Sequence, residues 1–304
     1  MATDVPTLDG GARGLIMGGS YSSPGPGTHN QITFVTIPTA GDSTDFGDLT
    51  HTTRDGGSCA SRTRGLYRFG TGPGDINDNV DFVTIASIGN AQDFGDMTYN
   101  ARGTEGLSSQ TRGIFFNGDD DGSPRTRFNT IDFVTIASTG NGIDFGDRVA
   151  GGNSRTGGGA SPTRGVMAGS TPGKQIDFIT IATTGNSQDF GESARTSTRT
   201  SGACSATRMV YGGSTDPLGT IDYLTIATTG SSVAFGDMTV NRASFAAMSD
   251  CVRAVFAGGD GSPAQFSEID YVNIATEGNA VDFGDLPYDN QQCTGCSNGH
   301  GGLG

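Results

Sequence analysis

Hydrophobic residues in this chain come in short runs, and no run shows the 3.6-residue spacing of an amphipathic helix. The runs alternate between two kinds. One follows an arginine and ends in glycine, as in RGLIMGG from Arg13 and RMVYGG from Arg208. The other is rich in Val, Ile and Thr. In VDFVTIA, Val83 and Ile85 fall on one face, Phe82 and Thr84 on the other. Apolar residues at both parities predict a strand packed on both sides. Turn residues punctuate the runs at short intervals, so the pattern predicts an all-β chain of many short strands.

The pattern repeats in wording as well as in kind. DFVTIASIGNAQDFGD from Asp81 returns as DFVTIASTGNGIDFGD from Asp132, DFITIATTGNSQDFGE from Asp177 and DYLTIATTGSSVAFGD from Asp222. Three landmarks define six copies. The first is an arginine: Arg13, Arg64, Arg112, Arg164, Arg208 and Arg253. The second is an aromatic: Phe34, Phe82, Phe133, Phe178, Tyr223 and Tyr271. The third is the Phe of the DFG-like motif: Phe46, Phe94, Phe145, Phe190, Phe235 and Phe283, at steps of 48, 51, 45, 45 and 48.

From second to third landmark the distance is 12 residues in every copy, whereas from first to second it ranges from 14 to 21. The constant part reads as a hairpin turning at TGN. The variable part reads as a surface loop that accepts insertions. The 18 or 19 residues from each third landmark to the next arginine leave room for one more strand. Four strands per copy, repeated six times, predict a six-bladed β-propeller filling residues 1–304 as a single domain. The first copy lacks a preceding strand, and the last continues through DLPYDNQQCTGCSNGHGG. The C-terminal strand is therefore expected to pair into the N-terminal blade and close the ring, with TLDGG near the N-terminus as the competitor.

Composition fits this frame. The 51 glycines and 11 prolines make about a fifth of the chain, below the level of a disordered segment. A net charge of −14 argues against a nucleic-acid partner. No stretch is long and apolar enough to insert in a membrane. MATDVPTLDGG has neither the basic start nor the apolar core of a secretory signal. The single lysine, Lys174, stands against 17 arginines. The six landmark arginines occupy equivalent places, which suits structure better than catalysis, and their expected partners are the repeat aspartates. Cys59, Cys204 and Cys251 are expected to be buried apolar fillers. Cys293 and Cys296, in CTGC, are read as a disulfide or as packing, since a zinc site would find only His300 nearby.

The arginine run ending in a Gly doublet, the strand with an aromatic, and the second aromatic at fixed spacing resemble the kelch repeat. MVYGG, IDYLTIATTG and AFGD followed by Asn241-Arg242 carry the resemblance, with Phe where the kelch pattern has Trp. The wording IDY-TIATTGN-DFGD resembles propeller repeats of tailed-phage structural and tail-fibre proteins. Kelch-like folds include copper radical oxidases, which use His and Tyr ligands. Here the histidines are His29, His51 and His300, and His29 is expected to be solvated in an insertion loop. Six-bladed sialidases carry SxDxGxxW turns, which are absent from this chain. No catalytic set emerges, and no cofactor is expected. Calcium is a minor candidate at two acidic loops, one with Asp119 and Asp121, the other with Asp75, Asn77 and Asn79 at alternate positions.

What remains is the set of six unlike loops on one rim, holding Tyr21, His29, Arg125, Arg127, Lys174, Asp216 and Phe266. The resemblance and the loops together lead to the expectation of a non-enzymatic virion protein, made in the host cytoplasm. It would meet other virion proteins or a host-surface glycan or protein through that rim. An intracellular kelch-like scaffold is the alternative, and a carbohydrate-active enzyme a weaker one.

Overall fold

Each apolar run behind a landmark arginine becomes the second strand of a blade. In the third copy Arg112–Phe116 lies antiparallel between Glu105–Ser108 and Thr130–Thr135, and the latter pairs with Ile143–Asp147 at the outer edge. The same order recurs in six sheets arranged as a propeller. The computed structural model describes residues 11–22, 27–72, 74–151, 155–170, 173–196, 199–213, 219–261 and 264–304. Among them the one helical element is a 3-10 turn, Gly301–Leu303.

The ring closes as expected. Thr294–Ser297 is the innermost strand of the first blade, with Gly14 opposite Ser297 and Met17 opposite Thr294. The competing N-terminal stretch falls almost wholly in residues 1–10, outside the described residues.

The landmarks have physical reasons. In every blade the second and third landmark aromatics meet edge to face, with centroids 5.8 to 6.1 Å apart, so their spacing in sequence cannot drift. Cores lie between blades rather than within them: Leu107, Ile114 and Phe145 of the third blade pack with Ala160, Met167 and Ile179 of the fourth. Of the two strand faces in VDFVTIA, that of Val83 and Ile85 is fully buried, whereas Phe82 is half-buried and Thr84 exposed.

The repeated hairpin also binds blades together. Its TGN glycine donates its N–H to the DFG phenylalanine carbonyl of the preceding blade, as in Gly185 to Phe145 at 2.7 Å. The contact runs round the ring to Gly41 on Phe283, also 2.7 Å. The DFG glycine permits this closeness. Gly146 has φ 143°, and a Cβ there would lie 2.6 Å from the Gly185 carbonyl carbon.

The landmark arginines do not pair with the repeat aspartates, contrary to expectation. Each guanidinium lies over its own blade's landmark aromatic, 4.3 to 4.8 Å from the ring centre. Each also donates to a carbonyl of the following blade, as Arg64 does to Ile136 at 3.0 Å. The aspartates point elsewhere. Buried Asp132 accepts from the backbone and hydroxyl of Thr98 in the preceding blade, at 3.0 and 2.7 Å.

Candidate functional site

The loops between second and third strands, and the crossovers leading to each innermost strand, meet at one end of the disc. There the chain passes the axis once per blade in the left-handed conformation, at Asp55, Gly103, Arg155, Arg199, Ser244 and Gln292. Their backbones are hydrogen-bonded round the axis. Asp55 N donates to Gln292 O, Gly103 N to Asp55 O, Arg155 N to Gly103 O, Ser244 N to Arg199 O and Gln292 N to Ser244 O, at 2.7 to 3.1 Å. Between the fourth and fifth blades the donor is Thr200 N, to Arg155 O at 3.1 Å.

The backbone here is nearly six-fold, but the side chains are not. Arg155 reaches across Gly103 to Asp55, with Nη2 to Oδ2 at 2.6 Å. Arg199 meets Asp260 of the neighbouring loop at 3.4 Å. Beneath this layer lies Glu105, 9% exposed, where the other innermost strands carry Gly57, Gly157, Ser201, Ala246 and Thr294. It reaches Ser201, whose hydroxyl donates to Oε2 at 3.4 Å. Burial pushes its carboxyl up to about 8, only partly offset by the Gly106 N–H and Ser201. Glu105 has no signature outside the three-dimensional structure except that a charge stands where the other copies have small residues.

The axial space is narrow. Two cavities of about 40 and 30 Å³ lie along it, each with room for roughly two or three water molecules. At the opposite end His300 closes the lower one.

The rim residues do not converge on one point. Arg125 is exposed and sits beside Asp119 and Asp121, both at 3.5 Å, and Arg102 holds the same two carboxylates. Asp120 accepts from the Gly122 and Thr126 backbones at 2.9 and 2.8 Å. This loop is thus built on guanidinium–carboxylate contacts. Asp75 caps its neighbour Ile76, Asn77 caps Asp78, and Asn79 donates to Asp96, so these three diverge. Among the described residues no group of three His, Cys, Asp or Glu could hold a metal ion. Arg127 is exposed, its backbone bridging to Asp119. Lys174 donates to the Ala194 carbonyl at 3.2 Å. Phe266 is half-buried against the last blade's loop, and Asp216 lies outside the described residues.

His29 is not solvated. The third strand of the first blade is long, Gly27–Thr36, and carries His29 into a buried place between Tyr21 and Tyr288. Its Nε2 meets Asn290 Oδ1 at 3.1 Å. Asn290 Nδ2 donates to Gly18 O, so Nε2 carries the proton. Burial lowers its pKa. Cys59 and Cys204 are buried, but Cys251 is exposed in a turn at φ 70°. Cys293 and Cys296 are free thiols that face different inter-blade cores, which makes CTGC a packing element.

No protein-family model matches the chain, and no curated protein matches it.

Proposed function

We propose that the protein is a non-enzymatic recognition propeller, kelch-like in its repeat, that serves as a virion component of a tailed phage. It meets a host-surface glycan or protein, or a neighbouring virion protein, through the loop face. The observation that carries this reading is the contrast between the ends of the same strands. The hairpin glycine to phenylalanine carbonyl contact between blades repeats six times, while the loops differ in length, charge and aromatic content. A rigid ring beneath unlike loops is the arrangement expected of a binding surface. Narrow axial cavities favour an outer rather than an axial contact. The phage assignment rests on the wording of the repeat.

The test is binding of the purified protein to intact bacterial cells and a glycan panel, beside a variant with the loop 118–130 shortened. Saturable binding that the shortening weakens is the expected result. Absence of binding to cells and glycans alike would reject host recognition.

A further inference from the structure

The segment that closes the ring does more than complete a blade. After Thr294–Ser297 it turns across the axis opposite the loop face. Gly301 rests on the Ser205 carbonyl of the fifth blade and Gly302 on the Ser108 carbonyl of the third, where any Cβ would overlap the oxygen. Arg62 of the second blade donates to the carbonyls of Leu303 and Gly304 at 3.3 and 2.6 Å. The tail thereby covers the lower end of the axial cavity lined by Ser58, Ser108, Ser249 and Ser297.

One imidazole fixes this arrangement. His300 Nε2 lies 2.9 Å from the Ala60 carbonyl, an atom that can only accept, so Nε2 carries a proton. Nδ1 accepts the Gly302 N–H at 3.1 Å, so it must be unprotonated. The imidazolium would set a second N–H against that of Gly302.

We propose that residues 299–304 are an acid-released plug of the lower axial cavity, with His300 as its latch. The groups facing the latch do not oppose release. Arg62 adds positive charge, Cys204 is a buried thiol, and Cys251 donates to the Gly299 carbonyl at 3.2 Å. Asp250 packs beside Gly299, and its carboxylate accepts the Val252 and Arg253 N–H groups at 3.0 and 2.7 Å. Burial lowers the His300 pKa from 6.5, with Arg62 adding to the effect and the Ala60 bond opposing it. Docking is therefore complete above 6.5 and weakens as pH falls through the lowered value.

Hydrogen exchange of the full chain from pH 7.5 to 4.5, corrected for intrinsic rates, tests this, with Gly302→Ala as the released reference. Protection of the tail amides should fall at least tenfold toward that reference while the innermost strands stay protected. The midpoint should match the titration of His300 followed by NMR. Protection retained through pH 4.5, or lost at a midpoint unlike that of His300, would overturn the proposal.

Discussion

The guanidinium of Arg164 stands 4.4 Å from the centre of the Phe178 ring and donates from Nη1 to the Ile226 carbonyl of the next blade at 3.0 Å. One side chain thus covers its own blade's aromatic and ties that blade to its neighbour. A cation over a ring contributes about 1 kcal/mol and a charged hydrogen bond about 1.5–3. Arg164→Ala should therefore lower unfolding free energy by roughly 2–3 kcal/mol in urea titration. Arg125→Ala, at a side chain 46% exposed, should cost under about 0.5 kcal/mol. Equal losses for the two would show that the inter-blade contact is not the stabilising one.

The seam between hairpins makes a second demand. Gly146→Ala places a Cβ against the Gly185 backbone, which cannot move without parting two blades. The expected loss is about 2–4 kcal/mol, visible as a lower thermal midpoint. Gly185→Ala meets no atom within 4 Å but sits at φ 149°, so its loss should be smaller. The reverse order would place the constraint in the turn rather than in the seam.

These two sites show what the sequence displays and what it hides. Repeat arithmetic displays blade number, strand count and ring closure, because each depends on spacing alone. The partner of Arg164 was hidden because it is a backbone carbonyl, and every residue has one. His29 was misplaced because its strand begins seven residues before Phe34, whereas Thr130–Thr135 begins three before Phe133. Glu105 lay outside all three landmarks. Nothing in the repeat marks residues 299–304, and only the carbonyls of Ser108 and Ser205 show why Gly301 and Gly302 must lack side chains.

Glu105 predicts a pH dependence. Its carboxyl holds its proton to about 8 in the folded chain, against 4.5 for a free side chain. The folded state then binds more protons between those values, and stability falls as pH rises through them. The full difference is on the order of 5 kcal/mol. Glu105→Gln keeps the shape and removes the titration. Its stability relative to wild type should rise from pH 5 to pH 9. A constant difference across that range would mean that the carboxyl is solvated.

The seam between the last and first blades carries a paired exception. At three other seams a buried aspartate accepts the N–H of the fourth residue after the DFG phenylalanine, Asp81 from Thr50 at 2.8 Å, Asp132 from Thr98 at 3.0 Å and Asp270 from Thr239 at 2.9 Å, whereas Val149 and Ala194 donate instead to the hydroxyls of Ser187 and Ser232. In the first blade Thr33 occupies the aspartate's place, opposite Asp45 as Asp81 is opposite Asp93. The donor position is Pro287, which has no N–H to give. Thr33 is 4% exposed, so Thr33→Asp would bury a carboxylate facing a proline. The expected loss is about 2–3 kcal/mol. Adding Pro287→Thr restores the donor pair found at Thr50 and Thr239, and the double variant should recover most of that loss. A double-mutant cycle in urea measures the coupling directly. If the two losses simply add, the carboxylate and the missing N–H are independent, and the coincidence of Thr33 with Pro287 has no energetic basis.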